Sequence, residues 1–306
     1  MPGERLVYLN GELIEETRVR VSPFDRGFLW GDGVYEVTPS FDGRLYRLGD
    51  HLDRLYRSLR YIRIDPGITK EEMEEATINA HKANLDRLEE EPICRLGHWV
   101  TRGKDASSMK ARDAQKPTVF MAWRPMALEP LAQAMSEGVK LTVTATRRNP
   151  PGSLETRAKV MSKMNQTLAE LDADAHEALS LMLDMQGNVA ENSIANFFLV
   201  RGGVLWTAPA QNVLEGVTRK AVFELAARLG IPVEERNFTL YDVAQAEEYF
   251  LTSSATCAMP VREIDRFQPT VPVPGPVTKR LIAAFAEETG FDFVERAKTL
   301  NARAKV

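Results

Sequence analysis

Residues 189–219 read VAENSIANFFLVRGGVLWTAPAQNVLEGVTR, and this stretch decides how the rest of the chain is interpreted. Glu191 precedes a run of apolar residues that can form a buried strand. The Arg-Gly-Gly turn sequence at residues 201–203 joins that run to a second one, so the pattern predicts a β-hairpin. Gly216 then stands at the start of a helical pattern, where backbone N–H groups without helical partners can bind an anion.

The composition limits the possible classes of function. The chain has 306 residues, 44% of them hydrophobic, which is enough for a large core and suggests about two domains. Its formal net charge is -4 and its acids and bases are interleaved, so no surface for a nucleic-acid backbone is predicted. Two cysteines cannot form a disulfide framework, the N-terminal residues lack the pattern of a signal peptide, and no apolar run could cross a bilayer. We therefore expect a soluble, cytoplasmic protein with no nucleic-acid, membrane or metal partner.

Local patterns predict a mixed α/β (α+β) architecture. The turn pair Asn10-Gly11 between apolar runs predicts a hairpin, and apolar residues spaced by three and four within 48–62 predict a helix. Thr69 followed by Glu72 forms a capping-box pattern at the start of another helix. Further expected elements are a short strand at 19–22, a helix from about 160 to 176, and a last clear helix at 277–288.

The expected organisation is a smaller domain followed by a larger one. A Pro-bearing stretch after the last strand of the first half marks the boundary. We assign residues 1–125 to a smaller α+β domain, 126–136 to a linker, and 137–306 to a larger domain that contains the opening stretch.

The order of the anchor residues resembles the signature of the class IV (fold type IV) pyridoxal-phosphate aminotransferases. That family includes branched-chain, D-amino-acid and (R)-amine transaminases, and its pattern is filled here by Glu191, Ser193, Asn196, Phe197, Phe198, Leu205, Thr207, Leu214, Gly216, Val217 and Arg219. A second family-like run, DRGFLWGDGVYE, spans residues 25–36. The resemblance implies a two-domain fold with pyridoxal 5′-phosphate at the domain interface, and a homodimer or a larger assembly of dimers.

The resemblance also implies roles for an acid and a lysine. Glu191 matches the carboxylate that keeps the cofactor's pyridine nitrogen protonated. In RAKVMSKMNQTLAELDA, residues 157–173, the family pattern selects Lys159 as the catalytic lysine that binds the cofactor covalently. Ser162 departs from the usual asparagine, and Lys163 is the competing candidate. A lysine in this role transfers a proton from the substrate Cα as general base and acid.

The phosphate group has several expected partners. Gly216, Val217 and Thr218 lie at a helix N-terminus, where the helix dipole and backbone N–H groups hold an anion. Arg54 would add a charge-assisted contact, and Ser254 stands where relatives often have threonine. His51 lies in the same family-like run as Arg54, and we expect a structural role for it.

The substrate residues match no subgroup of the family cleanly. Tyr35 and Val37 resemble the Tyr-x-Val of the D-amino-acid and (R)-amine enzymes, whereas Arg95 aligns with an arginine of the branched-chain enzymes. Ala255 is a further expected substrate contact. The Arg-x-His pair that D-amino-acid enzymes carry after their V-T-R-G run is absent from residues 104–109. The alternative for Arg95 is an ordinary strand arginine.

The favoured function is a ping-pong transaminase that takes an amino group from a small-molecule donor and gives it to an oxo acid such as 2-oxoglutarate or pyruvate. Candidate donors are branched-chain L-amino acids, D-amino acids and (R)-amines, and the missing Arg-x-His pair favours an apolar donor. A lyase of the aminodeoxychorismate lyase type is an alternative on the same fold. A regulatory or binding protein that retains the scaffold without the cofactor is a third reading.

Overall fold

The computed structural model describes residues 4–88, 92–106, 109–114 and 116–303. The chain divides into two compact units. The first unit comprises Met1–Met126 and Ala158–Lys163, and the second comprises Ala127–Arg157 and Met164–Val306. The short segment Ala158–Lys163 therefore belongs with the first unit, although the residues on both sides of it belong to the second. The expected division at residues 126–136 stays a prediction.

The first unit is built on an antiparallel sheet. Its strands and helices in the described residues are β1 (Leu6–Leu9), β2 (Glu12–Glu15), α1 (Arg26–Trp30), β3 (Gly33–Phe41), β4 (Arg44–Leu45), α2 (Leu48–Ile62), α3 (Lys70–Asn84), β5 (Ile93–Thr101) and β6 (Thr118–Pro125). The strand order is β2-β1-β6-β5-β3-β4. The predicted hairpin is confirmed, since β1 and β2 pair across Asn10 and Gly11, and both turn residues have positive φ.

The helices of the first unit confirm two of the sequence patterns. Leu52, Leu55 and Leu59 of α2 are buried in the core cluster that includes residues of β3 and β5. At the start of α3, the Glu72 backbone N–H donates to Thr69 Oγ1, and the Thr69 N–H donates to Glu72 Oε2. The capping box thus satisfies two N–H groups at the beginning of this helix.

One predicted strand of the first unit is wrong. Residues 19–22 form no strand in the structure; they follow a short 3-10 helix, and Val21 is exposed. The alternating valines gave the pattern, but Pro23 follows directly and has no N–H to donate to a sheet ladder. The short helix α1 was not predicted, because five residues are too few to show a helical period.

The second unit contains a mixed sheet with helices. Its described elements are α4 (Leu128–Glu137), β7 (Val139–Val143), α5 (Met164–Asp174), β8 (Leu179–Leu181), β9 (Asn196–Arg201), β10 (Val204–Thr207), α6 (Val217–Arg228), β11 (Val233–Glu235), α7 (Leu240–Val243), β12 (Glu248–Ser253), β13 (Thr256–Ile264), α8 (Pro276–Thr289) and α9 (Phe293–Arg303). The strand order is β11-β10-β9-β12-β13-β7-β8. Parallel pairs join β10 to β11, β13 to β7, and β7 to β8.

The central hairpin of this sheet confirms the opening stretch. Strands β9 and β10 pair in the register Arg201 with Val204. The turn glycines Gly202 and Gly203 both have positive φ, which the turn requires. Residues 197–200 are fully buried because β9 lies between β10 and β12 with both faces covered. An uninterrupted apolar run is the pattern expected of such a strand.

Two helix predictions need correction at their ends. The helix expected from about residue 160 begins only at Met164, because the preceding residues pair as extended chain with β3. The chain also continues past α8 into α9. Asp292 accepts the N–H groups of Val294 and Glu295 and so starts α9, a polar pattern that apolar periodicity does not reveal. No helix in the described part of the chain is long and apolar enough to span a membrane.

Candidate active site

The segment Ala158–Lys163, which carries Lys159, is held against strand β3 by backbone hydrogen bonds. The Tyr35 N–H donates to the Lys159 carbonyl at 3.0 Å, and the Met161 N–H donates to the Gly33 carbonyl at 2.9 Å. The Lys159 N–H donates to Ser58 Oγ on α2 at 3.1 Å. A Cβ on Gly33 would lie 2.6 Å from Met161 Sδ, so this glycine lets the segment approach the strand. These contacts set the position from which the Lys159 side chain leaves the backbone.

The side chain of Lys159 lies over an aromatic ring. Its Nζ is 4.6 Å from the centroid of the Tyr35 ring, and both residues are half-buried. Burial raises the pKa of the Tyr35 hydroxyl above its usual value, while the charge of Lys163 and a side-chain hydrogen bond from it act in the opposite direction. The structure therefore brings together three residues singled out from the sequence, Lys159, Lys163 and Tyr35.

Arg54 is held by a buried carboxylate on the neighbouring strand. Its Nε donates to Glu36 Oε1 at 2.6 Å, and its Nη2 donates to Glu36 Oε2 at 2.8 Å. His51 Nδ1 is 2.9 Å from Glu36 Oε2, and all three side chains are buried. Helix α2 supplies His51 and Arg54 on one face because they are three residues apart. The guanidinium thus has a fixed orientation, and His51 contacts the same carboxylate.

Burial and the neighbouring charges determine the protonation states of Glu36 and His51. Burial alone would raise the pKa of Glu36, but the charge of Arg54 and the hydrogen bonds from Arg54 and His51 lower it well below its usual range. Burial lowers the pKa of His51, although Glu36 opposes that change. Glu36 is accordingly ionised at neutral pH and holds an arginine whose charge it balances.

Glu191 of the second unit is a buried carboxylate with partners on both oxygens. Arg148 Nε donates to its Oε1 at 2.7 Å. Asn196 Nδ2 and the Leu214 backbone N–H donate to its Oε2 at 3.0 and 3.1 Å. The carboxylate is therefore held by a charged side chain, an amide and the backbone, and these partners fix the plane of the group.

Asn196 explains the spacing of the signature residues. Its Nδ2 also donates to the Leu214 carbonyl at 2.9 Å, so this one amide joins Glu191 to the loop before α6. A Cβ on residue 216 would lie 2.1 Å from Asn196 Oδ1. Glycine at 216 is thus required by the position of the asparagine, although its backbone conformation is ordinary.

The N-terminus of α6 has the features of an anion site. Gly216 is the N-cap residue of this twelve-residue helix, and Val217 and Thr218 begin it. Thr218 Oγ1 donates to the Ser253 carbonyl at 2.8 Å, which ties the helix start to the end of β12. Ser254 and Ala255 follow in the turn between β12 and β13. The residues expected to bind phosphate in the second unit therefore lie close together.

Arg219, the last residue of the signature, has a structural role. Its Nη2 donates to the Ala208 carbonyl and pairs with Glu235, and its guanidinium lies 4.6 Å from the centroid of the Phe223 ring. The side chain is buried and links α6 to the strands before and after it. An arginine in a phosphate-site motif thus serves packing here.

The expected substrate residues of the first unit share one face of the sheet. In the pairing of β3 with β5, Tyr35 is opposite Trp99, Val37 is opposite Gly97, and Pro39 is opposite Arg95. Side chains on a strand alternate between faces, so these residues lie on the side opposite to the buried Glu36. Val37 is half-buried and Arg95 is exposed.

Trp99 covers the middle of this face. A Cβ on Gly97 would lie 2.1 Å from Trp99 Cη2, so the indole lies against the glycine backbone. Its ring centroid is 4.9 Å from that of Phe120 on β6. The surface between Tyr35 and Arg95 is therefore largely apolar.

Sequence reasoning missed Arg148 and Ser58. Arg148 lies in a loop 43 residues before its partner Glu191, and Ser58 is 101 residues from Lys159. The available signal for Arg148 was an Arg-Arg pair beside two prolines, which is compatible with any polar loop. The described residues contain no cluster of His, Cys, Asp and Glu that could hold a metal ion.

Comparison with known proteins identifies the family. The sequence profile of Amino-transferase class IV matches residues 33–264. The putative branched-chain-amino-acid aminotransferase of Methanocaldococcus jannaschii is 36% identical over 283 residues, covering 92% of this chain and 95% of the relative. A D-alanine aminotransferase of Listeria monocytogenes is 31% identical over 293 residues, covering 92% and 95%.

A solved structure gives the same fold. The branched-chain aminotransferase of the thermophilic archaeon Thermoproteus uzoniensis, solved with norvaline, has a TM-score of 0.84 and 29% identity. The match covers 94% of this chain and 96% of that one. The two-sheet fold, the held carboxylate and the profile match agree: the chain belongs to the class IV aminotransferases, which are pyridoxal-phosphate-dependent enzymes.

Proposed function

We propose that this aminotransferase moves an amino group from an apolar amino donor to an oxo acid such as 2-oxoglutarate or pyruvate in a ping-pong reaction. The observation that carries the proposal is the carboxylate of Glu191, held on both oxygens by Arg148, Asn196 and Leu214. A fixed, buried acid of this kind suits a hydrogen bond to the cofactor's pyridine nitrogen.

The residues of both units fit pyridoxal phosphate chemically. An amine at Lys159, an acid at Glu191 and a helix N-terminus at Gly216 are the groups that an aldehyde, a ring nitrogen and a phosphate require. When bound, the cofactor supplies an electron sink for the carbanion that forms at the donor Cα.

Lys159 has two tasks in this proposal. It would hold the cofactor covalently, and its amine would take the proton from the donor Cα. The backbone contacts of Lys159 with Tyr35 and Ser58 support the second task, because proton transfer needs the amine held within reach of one carbon. The Tyr35 ring below Nζ limits the directions in which the amine can move.

The phosphate is assigned to Gly216, Val217, Thr218, Ser254 and Arg54. The backbone N–H groups at the start of α6 would donate to its oxygens, and the Thr218 hydroxyl would do so on turning from the Ser253 carbonyl to which it donates here. Arg54 would add a charge-assisted contact from an orientation that Glu36 fixes. Substrate contacts are assigned to Tyr35, Val37, Arg95 and Ala255.

Branched-chain L-amino acids, D-amino acids and (R)-amines remain the candidates, and the apolar surface of Val37 and Trp99 favours a hydrocarbon side chain. We further propose that the enzyme acts as a cytoplasmic homodimer or a larger assembly of dimers.

Absorbance and product analysis test the proposal. Purified enzyme should absorb near the visible edge, lose that band with borohydride, and then carry a cofactor-sized mass on the peptide with Lys159. Lys159→Ala should abolish the band, while Lys163→Ala should retain it. Incubation with leucine and 2-oxoglutarate should give glutamate. Pyruvate release from aminodeoxychorismate without an amino acceptor would instead identify a lyase, and a Lys159→Ala enzyme that keeps the band would refute the lysine assignment.

A further inference from the structure

The segment Ala158–Lys163 is attached to the first unit at one short turn that joins α1 to β3. The Met161 N–H donates to the Gly33 carbonyl at 2.9 Å. Ser162 Oγ donates to the Gly31 carbonyl at 3.1 Å. A Cβ on residue 31 would lie 3.0 Å from Ser162 Oγ, so the turn and the segment are in close contact. The conformation of this turn therefore helps to set where the segment lies.

Asp32, the middle residue of this turn, is bound to two arginines. Arg26 Nε and Arg102 Nε each donate to its Oδ2 at 2.8 Å. Its backbone is held as well, since its N–H donates to the Arg26 carbonyl at 3.2 Å and its carbonyl accepts the Arg102 N–H at 3.1 Å. Burial alone would raise the pKa of Asp32, but the hydrogen bonds from Arg102 and Arg26 lower it. The carboxylate is accordingly ionised at neutral pH and fixes the turn through charge-assisted hydrogen bonds.

Arg102 extends this attachment to helix α2. Its Nη1 and Nη2 donate to the carbonyls of Arg63 and Ile62 at 3.0 and 2.8 Å, respectively, at the C-terminal end of the helix. Carbonyls there lack helical partners, so a cation at this position is favourable. The same helix carries Ser58, whose Oγ accepts the Lys159 N–H at 3.1 Å. One guanidinium thus joins the turn to the helix that holds the backbone of the lysine.

Asp105 belongs to the same charge network and has different contacts. Its Oδ1 accepts Arg26 Nη1 at 2.8 Å, and its Oδ2 accepts Trp30 Nε1 at 3.4 Å. The side chains of Asp32 and Asp105 are 16% and 10% exposed, so the two acids are similarly buried. Both acids bind Arg26, whereas Asp32 also binds Arg102 and, through it, the end of α2. Asp105 is therefore a matched control for the role of Asp32.

We propose that Asp32 is a positioning residue for Lys159, which acts through Arg102 and the turn to keep the lysine amine within reach of the donor Cα. Asp32 touches no reacting atom in this scheme. Proton transfer depends steeply on the distance and direction from amine to carbon, so a shift of the segment by about 1 Å would slow it by about 100-fold. The inference rests on the proposed function and deepens it, because it names the support of the amine that moves the proton.

An isotope-labelled donor tests the inference. Leucine, in the enantiomer that the enzyme uses, is compared with the same amino acid carrying deuterium at Cα. Asp32→Asn should lower kcat about 10- to 100-fold and increase the α-deuterium isotope effect on kcat, because proton transfer becomes slower than the other steps. The absorbance band of the cofactor should remain. Asp105→Asn removes an equal charge from the same network and should keep the kcat and the isotope effect of the wild type. Asp32→Glu, which keeps the charge, should recover part of kcat.

Hydrogen exchange of the full-length enzyme gives a second readout that does not depend on turnover. Asp32→Asn should speed exchange in peptides that cover residues 158–163 about 10-fold, because the turn that accepts the Met161 N–H opens more often. Asp105→Asn should leave exchange in these peptides unchanged. Both variants remove one acid from a shared ion network, so their melting temperatures should fall by similar amounts. A difference in exchange between them therefore reports the position of the segment, separately from the stability of the fold.

Arg102 provides an independent variant of the same contact. Arg102→Lys keeps the charge but cannot bind Asp32 and both α2 carbonyls together, so kcat should fall and the isotope effect should rise as in Asp32→Asn. The double variant should lose no more kcat than the weaker of the two single variants, because both changes break one connection. Losses of kcat that multiply in the double variant would give the two residues separate roles and overturn the inference.

The remaining outcomes separate the two proposals. Equal losses of kcat in Asp32→Asn and Asp105→Asn, or an unchanged isotope effect and exchange rate in Asp32→Asn, would overturn the positioning role while transamination by the wild type leaves the proposed function standing. If Asp32→Asn does not fold, Arg102→Lys must show the slower proton transfer and the faster exchange, or the inference fails. A wild-type enzyme that transfers no amino group from any donor would refute the proposed function itself.

Discussion

Glu36 and Glu191 are both buried carboxylates paired with an arginine, and they differ in what surrounds the pair. Glu36 receives two N–H groups of Arg54 and one contact from His51, which are side chains of a single helix, and a longer hydrogen bond of 3.3 Å from the backbone N–H of Val37 on its own strand. Glu191 receives Arg148 from a loop, Asn196 from a strand and the backbone N–H of Leu214. Each pair lies within its own unit of the chain.

The difference indicates which partner of each pair is being positioned. At Glu36 the carboxylate engages the guanidinium through two nitrogens, which fixes the arginine, and we assign Arg54 to the phosphate. At Glu191 three separate groups fix the carboxylate, and we assign the carboxylate to the ring nitrogen. A buried acid can thus either orient a functional arginine, as Glu36 does, or be the functional group itself, as we assign to Glu191. The number of secondary-structure elements and loops that contact the acid distinguishes the two cases.

Replacing Glu191 should have the largest effect on catalysis. Glu191→Gln keeps the shape but cannot hold a proton on the ring nitrogen, so kcat at saturating cofactor should fall about 10³-fold, or about 4 kcal/mol. The corresponding Glu36→Gln enzyme should keep kcat within about 10-fold at saturating cofactor and instead bind the cofactor more weakly. Steady-state kinetics over a range of pyridoxal phosphate concentrations measures both, and equal losses of kcat would contradict the distinction.

Replacing Glu36 should have the larger effect on stability. Removing one member of a buried ion pair leaves Arg54 uncompensated, so Glu36→Gln should lower the free energy of unfolding by about 3–5 kcal/mol at pH 7. The native pKa of Glu36 is depressed, so its contribution is complete above the unfolded value near 4.5 and is lost as pH falls towards the native pKa.

Urea unfolding of the cofactor-free enzyme at several pH values measures this contribution. The gap between wild type and Glu36→Gln should be constant from pH 7 to about 5 and should narrow below pH 4.5. Glu36→Asp, which keeps the charge, serves as the control. A gap that widens on acidification would show that Glu36 is protonated in the folded enzyme.

His98 sharpens the comparison, because it lies opposite Glu36 in the same sheet and is hydrogen-bonded to a hydroxyl instead of an arginine. Its Nε2 is 2.9 Å from Thr77 Oγ1, and burial lowers the pKa of His98 to about 4. Between pH 6.5 and 4, His98 is protonated in the unfolded chain but neutral in the native state. The free energy of unfolding should therefore decrease by about 3 kcal/mol as the pH is lowered through this range. His98→Gln should flatten the curve in this window, and an unaltered slope would contradict it.

Adding a methyl group at Gly216 should have the smallest effect on folding. The new Cβ would lie 2.1 Å from Asn196 Oδ1, so Gly216→Ala should displace the asparagine and cost about 2 kcal/mol of unfolding free energy. The same displacement should loosen Glu191 and reduce kcat about 10-fold, or about 1.4 kcal/mol. Gly202→Ala provides a contrast, because its Cβ meets no atom within 4 Å and only its positive φ opposes the change. Its kcat should remain that of the wild type.

The sequence predicted the elements whose signal is local. Alternation and spacing identified the β9–β10 hairpin, the helix α2 and the Thr69 capping box, because each depends on residues a few positions apart. The family pattern implied the two-domain architecture and the cofactor class. The helix α1 and the true start of α5 were not predicted, since the first is too short and the second depends on pairing with β3.

The sequence predicted the residues of the candidate site but not the contacts that hold them in place. Glu191, Asn196 and Gly216 follow from the motif, but the clash that explains Gly216 requires the side-chain position of Asn196. Arg148 was missed because its partner is 43 residues away, and no rule of sequence spacing predicts a contact between a loop residue and a residue that precedes a strand. The role of Glu36 was missed for a similar reason: a strand acid beside a helix arginine shows no pattern in one sequence.

The steric relation between Asn196 and Gly216 also restricts how this protein can evolve. A larger residue at 216 becomes tolerable only after 196 has lost its amide, and loss of that amide alone removes one of the two donors to Glu191 Oε2. Neither order of substitution passes through an unimpaired intermediate, so the two positions should change together or stay as they are. A single substitution at either position is therefore disfavoured, even though glycine and asparagine are each readily replaced at ordinary surface positions.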